Sequence, residues 1–104
     1  MAKKYKVIAL CGSIKFKNDF LREQARLSLE GNIILTPVFL EYYEGFKCMT
    51  DEIKEHLNDL HKRKIDMADE IFVINKNGYI GSSTKSEIEY AIKTNKKVNY
   101  MEEI

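Results

Sequence analysis

The sequence predicts a small α/β domain in which about four parallel strands form one doubly wound sheet with helices on both faces. Four short runs rich in Val, Ile and Leu alternate along the chain with three stretches whose apolar residues recur at helical spacing. The short runs are apolar at consecutive positions, which is typical of parallel strands covered on both faces. With 104 residues and no linker-like tract, residues 1–104 are predicted to form a single domain of the flavodoxin- or Rossmann-like type.

The N-terminal half supplies the first two predicted strands and the helix between them. Residues 7–11 form a continuous apolar run that ends at a Gly-Ser pair, which indicates a buried strand. Residues 15–30 have apolar side chains at helical spacing and are followed by Gly31, a typical helix stop. Residues 33–38 are predicted to form the second strand.

The C-terminal half repeats the strand and helix pattern. Thr50 precedes two acidic residues, as at many helix N-termini, because its hydroxyl can accept a backbone hydrogen bond and carboxylates favour the positive end of the helix dipole. The remaining predicted elements are an aromatic loop at 39–49, a helix from there to about residue 68, a strand at 71–74, a loop at 75–83, a helix to about residue 95 and a strand at 98–101.

Composition and charge exclude several classes of protein. The 17 basic and 16 acidic residues nearly balance, so no basic excess indicates a nucleic acid polymer as partner. The apolar run near the N-terminus is too short for a signal-peptide core or a membrane span. The two cysteines, Cys11 and Cys48, do not form a disulfide framework. We therefore expect reduced thiols, a cytoplasmic protein and no membrane partner. No CxxC motif or Cys/His cluster in the sequence indicates a metal site, and no cofactor is implied.

Three segments are predicted to meet at one edge of the sheet. Ligands of doubly wound sheets bind beyond the carboxyl ends of the strands. That edge collects residues 12–15, the aromatic loop and residues 75–87. The aromatic loop could stack on a nucleobase, pack against a partner subunit or cover the sheet edge.

Two of these segments suit a phosphate group. Gly12 and Ser13 lead from a strand into a helix, where unpaired N–H groups favour anions, and Lys15 could add charge. A plain turn with Ser13 as helix cap explains the same residues. Neither the GxGxxG nor the P-loop motif is present. The predicted substrate-binding residues are Gly12, Ser13, Ile14, Lys15, Asn75, Gly81, Ser82 and Ser83.

Glu87 and His61 are the candidate catalytic residues. Glu87 could act as a nucleophile on an anomeric carbon, or it could close a capping box with Thr84. Glu89 is rotated roughly 200° around the helix from Glu87, so it is expected to be solvated. His61 is either a half-buried structural residue or an acid or base, because its ordinary pKa is near neutrality. His56, five residues earlier, is not at metal-pair spacing.

Several short motifs together resemble the nucleoside 2-deoxyribosyltransferase superfamily, and within it the 2′-deoxynucleoside 5′-phosphate N-hydrolases. The family pattern is a Gly-Ser-Ile turn, an Ala-Asp strand entry, and Glu-Leu-Gly-Tyr-Ala followed by Gly-Lys-Pro-Val. The matching segments here are Cys11-Gly12-Ser13-Ile14-Lys15, Ala68-Asp69, Glu87-Ile88-Glu89-Tyr90-Ala91 and Lys96-Lys97-Val98. The resemblance runs over most of the chain.

The resemblance implies roles for particular residues. Glu87 matches the glutamate that attacks C1′ of the deoxyribose, and residues 12–14 match the turn that contacts the nucleotide. Ser82 is the nearest counterpart of the serine that binds the 5′-phosphate. Family members are oligomers whose neighbouring subunit often completes the site, which implies a homodimer or higher homo-oligomer here.

The sequence also departs from the family pattern at three places. Glu89 replaces a glycine, the segment 83–86 replaces a small Gly-x-Gly stretch, and His61 stands where the family has an aspartate. The predicted function is cleavage or transfer at the N-glycosidic bond of a small nucleoside or nucleoside 5′-phosphate. The alternatives are a non-catalytic nucleotide-binding or regulatory module on the same fold and a hydrolase of NAD or a related nucleotide.

Overall fold

Four parallel strands and three helices alternate along the chain in the computed structural model, which describes residues 4–103. The strands are β1 (Val7–Gly12), β2 (Ile33–Leu35), β3 (Glu70–Ile74) and β4 (Lys97–Tyr100). The helices are α1 (Lys17–Leu29), α2 (Asp51–Met67) and α3 (Ser82–Lys93). The strand order in the sheet is β2-β1-β3-β4. This confirms the predicted small doubly wound α/β fold. No helix in the described part of the chain is long and apolar enough to cross a membrane.

The two faces of the sheet pack into separate cores. Alternate residues of β1 point to opposite faces, so Ile8 and Leu10 pack with Phe20 of α1, whereas Ala9 and Cys11 pack with Ile65 of α2. The second core also contains Ala91 of α3. Helix α1 therefore covers one face, and α2 and α3 cover the other.

The strand order places a switch point between β1 and β3. The chain leaves β1 through α1 on one face and leaves β3 through α3 on the opposite face. The loops at the carboxyl ends of these neighbouring strands therefore diverge and leave a crevice between them, where ligands of such sheets bind.

Local signals explain most of the element boundaries. The Thr50 hydroxyl accepts a hydrogen bond from the Ile53 N–H at 3.1 Å, which confirms the predicted cap of α2. Helix α1 begins at Lys17 rather than residue 15, because a 3₁₀ turn over Ile14–Phe16 comes first. Strand β2 ends at Leu35, two residues before Pro37, which has no N–H for the ladder.

Helix α3 begins earlier than the sequence predicts, and this changes the interpretation of Glu87. Gly81 is the N-cap, its extended backbone leads directly into Ser82, and no side chain caps the helix. Thr84 is buried within the first turn, and Glu87 lies in the second turn. The capping-box interpretation of Thr84 and Glu87 is therefore wrong, since a capping box needs its Ser or Thr at the N-cap.

Candidate active site

A cleft of about 470 Å³ opens at the carboxyl ends of β1 and β3. It is bounded by the turn after β1, the loop between β2 and α2, one face of α2 and the first turns of α3. The volume is within the range of small-molecule sites. The cleft occupies the crevice at the switch point, so the ligand edge predicted from the sequence is a real concave surface.

His61 and Glu87 lie at the floor of the cleft and meet a third side chain, Cys11, which is fully buried beside them. Cys11 Sγ from β1 is 3.4 Å from His61 Nε2 of α2. The same nitrogen is 3.9 Å from Glu87 Oε1 of α3. One ligand-type atom from each residue lies within 4.8 Å of the other two. We refer to Cys11, His61 and Glu87 together as the floor triad.

Helical and strand periodicity explain why these side chains converge. Glu87 follows the buried Thr84 by three residues and precedes the buried Ala91 by four, so all three share the face of α3 that packs on the sheet. His61 precedes the buried Ile65 by four residues on α2. Cys11 is the last side chain that β1 directs into this core before Gly12.

Burial shifts the pKa of each member of the floor triad. Burial raises the pKa of Glu87 to about 7, although a hydrogen bond from the Cys11 thiol and the charge of Lys62 oppose the shift. Burial, together with the charge of Lys64, lowers the pKa of His61 to about 4, although the Leu10 backbone opposes the shift. The pKa of Cys11 is raised by burial and by the neighbouring Glu87. At pH 7 the cleft floor therefore holds a thiol, a neutral imidazole and a carboxyl group close to half ionisation.

His61 is more deeply buried than the half-buried position expected from the sequence. The whole residue is only 5% exposed. Among the buried side-chain polar atoms of the described residues, His61 Nδ1 is the one that makes no hydrogen bond. A buried imidazole at a cleft floor with one unpaired ring atom is unusual for a purely structural histidine, since buried polar groups are normally bonded.

Gly12 gives the turn after β1 its shape. Its φ is +154°, and a Cβ atom there would lie 2.8 Å from the Ile74 carbonyl oxygen and 3.2 Å from the Phe20 ring. Any side chain would therefore push β1 and β3 apart. The glycine lets the chain turn tightly at the point where the cleft begins.

Most of the predicted binding residues line this cleft. Gly12, Ser13 and Ile14 form one side, and Gly81, Ser82 and Ser83 form part of the other. Lys15 lies just outside, with its Nζ 3.6 Å from the centre of the Tyr79 ring. Its neighbours line a second, more open cleft beside the first.

Asn75 is a structural residue, contrary to the prediction that it binds substrate. Its side chain is fully buried. Its Nδ2 donates to the Glu102 carbonyl oxygen at 3.0 Å, and its Oδ1 accepts from the Glu102 N–H at 2.8 Å. Both ends of the amide are thus used to fasten the segment after β4 to the end of β3.

The aromatic loop divides its side chains between the cleft and the core. Phe46 lines the cleft. Phe39 packs edge-to-face against Phe20, with ring centres 5.6 Å apart. Tyr42 and Tyr43 are exposed. The loop therefore covers the sheet edge and also contributes an aromatic wall to the cleft.

Sequence reasoning missed Cys11 and Lys64. Cys11 is not among the predicted site residues, and the signal that could have found it is that it is the last residue of β1 that faces the core under α2 and α3. The Lys64 ammonium donates to the Thr36 carbonyl oxygen at 2.7 Å and lines the cleft, and its burial lowers its pKa. Sequence spacing does not relate these three residues to one another, because the floor triad is assembled from three distant elements.

Asp69 lies at the junction between α2 and β3. Its Oδ2 accepts a hydrogen bond from the Val7 N–H at 2.8 Å, which ties the start of β3 to the start of β1. Both cysteines are free thiols, with Cys11 buried and Cys48 exposed.

No protein-family model matches this chain, and no curated protein matches it. The resemblance of its motifs to the nucleoside 2-deoxyribosyltransferase superfamily stays a prediction.

Proposed function

We propose that this protein cleaves, or transfers at, the N-glycosidic bond of a small nucleoside or nucleoside 5′-phosphate, with Glu87 as the nucleophile. The observation that carries the proposal is the position of the Glu87 carboxyl group. It lies at the floor of a cleft of suitable size, and its side chain is 12% exposed. A buried carboxyl group with a strongly shifted pKa in a cleft is a candidate for chemistry.

The chemical step needs only the carboxylate and water. The ionised Glu87 attacks C1′, the C1′–N bond breaks, and its electron pair leaves with the base, which takes a proton from solvent. Water then attacks C1′, the bond from C1′ to Glu87 breaks, and its electron pair returns to the carboxylate. The water loses a proton to solvent, and the free sugar is released. A second base in place of water gives transfer instead of hydrolysis.

His61 acts in this scheme as a positioning residue. With a pKa of about 4, the imidazole is neutral at pH 7. It is therefore a weak proton donor for the leaving base. Its Nε2 is close to Glu87 Oε1, where it can orient the carboxylate or hold a sugar hydroxyl. A neutral imidazole at this position suits the holding of a sugar hydroxyl better than the donation of a proton.

The walls of the cleft support a nucleotide as substrate. Ser82 and Ser83 lie in the first turn of α3, where unpaired N–H groups and hydroxyls suit a phosphate. Lys54 and Lys64 add positive charge to the lining. Phe46 offers a ring against which a base can stack. The family resemblance points to the same substrate class.

The test is base release from a panel of nucleosides, deoxynucleosides, their 5′-phosphates and NAD. The wild-type protein is expected to release a free base from at least one of them, and Glu87→Gln to lose that activity by the factor of about 10³ or more expected of a nucleophile. Glu89→Gln is the matched control, because Glu89 is exposed on another face of α3. Unchanged turnover in Glu87→Gln contradicts the mechanism.

The second candidate is a nucleotide-binding module without catalysis. The observation that favours it is the state of His61, the side chain nearest to Glu87 that could act as an acid, which is neutral at pH 7. Saturable binding of a nucleoside or nucleotide with no base release over long incubation supports the module. Release of nicotinamide from NAD alone indicates the third alternative, an NAD hydrolase.

A further inference from the structure

We propose that the floor triad is a binding site for a divalent transition metal ion of the Zn²⁺ class. The inference rests on the convergence of Cys11, His61 and Glu87, which nothing in the sequence spacing indicates. It does not depend on the proposed function, because metal binding is measured directly.

The distances among the donor atoms are close to those of a tetrahedral site. Bonds of ~2.3 Å to sulfur and ~2.0–2.1 Å to nitrogen or oxygen separate neighbouring ligands by roughly 3.4–3.6 Å. Cys11 Sγ and His61 Nε2 are 3.4 Å apart, and His61 Nε2 and Glu87 Oε1 are 3.9 Å apart. All three atoms lie within 4.8 Å of one another. A side-chain adjustment of roughly 1 Å or less brings them around one ion.

The three donors are of the types that zinc selects. A thiolate, an imidazole nitrogen and a carboxylate oxygen each bind Zn²⁺, and three protein ligands with an open fourth position are typical of accessible sites. Here the open side faces the cleft, which Glu87 and His61 line. The opposite side is the apolar core around Ala9 and Ile65, so the fourth ligand must come from the cleft.

Charge and proton balance favour binding of a dication. Binding converts the Cys11 thiol to a thiolate and releases its proton, together with the proton of any Glu87 that is still neutral. The resulting two negative charges compensate the ion. The charges of Lys64, which acts on His61, and of Lys62, which acts on Glu87, oppose the ion and lower its affinity.

The environment of His61 sets an upper limit on affinity. A metal-bound histidine usually donates its other ring N–H to a carboxylate or carbonyl, and loss of such a partner costs about 10–100-fold in affinity. His61 Nδ1 makes no hydrogen bond of normal geometry within the described residues, although the Leu10 backbone interacts with the ring. We therefore expect a site that exchanges its ion with solvent rather than one that holds it permanently.

The experiment is a Co²⁺ titration of the untagged, reduced chain of residues 1–104. We expect one equivalent of Co²⁺ to produce a thiolate-to-cobalt charge-transfer absorption band, Zn²⁺ to displace it, and binding to release protons. Absence of the band in the folded protein at millimolar Co²⁺ overturns the proposal. Base release is not part of the readout, so failure here leaves the proposed function untouched.

The chain offers a matched control for every ligand. Cys11→Ser should abolish the band. His61→Ala and Glu87→Gln should each weaken Co²⁺ binding by more than the factor of about 10–100 that is lost when a residue hydrogen-bonded to a metal ligand is removed. Cys48→Ser, His56→Ala and Glu89→Gln should leave the band and the affinity unchanged. Circular dichroism checks that each variant folds. A band that survives in folded Cys11→Ser and disappears in Cys48→Ser overturns the assignment. If Cys11→Ser does not fold, unchanged Co²⁺ affinity in both His61→Ala and Glu87→Gln overturns it.

Discussion

Glu87 and His61 carry pKa shifts of opposite sign that have the same cause. Burial disfavours the charged form of both, so it raises the pKa of Glu87 to about 7 and lowers that of His61 to about 4. Between about pH 4.5 and 6.5 the unfolded chain holds an ionised Glu87 and a protonated His61, whereas the folded chain holds both neutral. The number of bound protons is then the same in the two states, so the pair adds no pH dependence to stability in this window.

A single substitution separates the two contributions. The raised pKa of Glu87 stabilises the fold fully below the unfolded pKa, and this contribution is lost as pH rises through about 7. Glu87→Gln carries no charge to bury. We expect its free energy of unfolding to exceed that of the wild type by about 1–3 kcal/mol at pH 8, and the difference to shrink toward pH 4.5.

Urea denaturation of both metal-free proteins at several pH values measures this difference. Glu89→Gln is the control, because Glu89 is exposed and its substitution should change stability by less than about 0.5 kcal/mol at every pH. A difference between Glu87→Gln and the wild type that does not vary with pH contradicts the burial argument.

The same ionisation predicts the pH dependence of base release. If Glu87 is the nucleophile, only its ionised form reacts, so kcat/KM of the metal-free enzyme should rise about tenfold per pH unit below pH 7 and level off above it. His61 does not titrate in this range. A rate that instead falls as pH rises through 7 indicates that Glu87 donates a proton rather than attacking.

At the scale of elements, Asn75 connects the end of β3 to the segment after β4. Asn75→Ala removes two hydrogen bonds from a fully buried position and leaves the Glu102 N–H and carbonyl group without those partners. We expect a loss of about 2–4 kcal/mol of stability. Chemical denaturation measures it, and Asn18→Ala, at an exposed position of α1, is the control. A neutral effect of Asn75→Ala on stability contradicts the structural role assigned here.

Most elements were predictable because their signals are local. The apolar run of β1 and the cap at Thr50 can each be read from a few neighbouring residues, and the structure confirms them. The start of α3 was not predictable in the same way. The sequence pattern at Thr84 and Glu87 satisfies the capping-box rule, but packing of Thr84 in the interior continues the helix back to Gly81.

The site was only partly predictable because its chemistry is assembled over long distances. Glu87 and His61 were identified singly, and no rule of spacing relates them to each other or to Cys11. For Asn75 the local signal was misleading. Its position at a strand end is typical of a ligand site, but its actual partner, Glu102, is distant in sequence. Contacts of this kind depend on the sheet order, which local patterns do not define.

At the scale of the whole molecule, the switch point explains how so short a chain can form a cleft. The two cores are supported by different helices, one by α1 and the other by α2 and α3. The crevice between the loops that diverge from β1 and β3 therefore needs no second domain. One wall is nevertheless only a loop, and apolar side chains at the rim stay exposed, among them Ile14, Val38, Met49 and Tyr79.

The exposed rim predicts that a second copy of the chain covers the cleft, as the family resemblance also implies. We expect the protein to sediment as a dimer or higher oligomer at micromolar concentration. Val38→Glu should shift it toward monomer, because Val38 is a rim residue that is 45% exposed in one chain and a buried charge there would oppose association. Leu29→Glu is the control, since Leu29 is 90% exposed at the end of α1 and does not line the cleft. A wild-type protein that is monomeric at all concentrations, or an oligomer that only Leu29→Glu disrupts, contradicts a shared site.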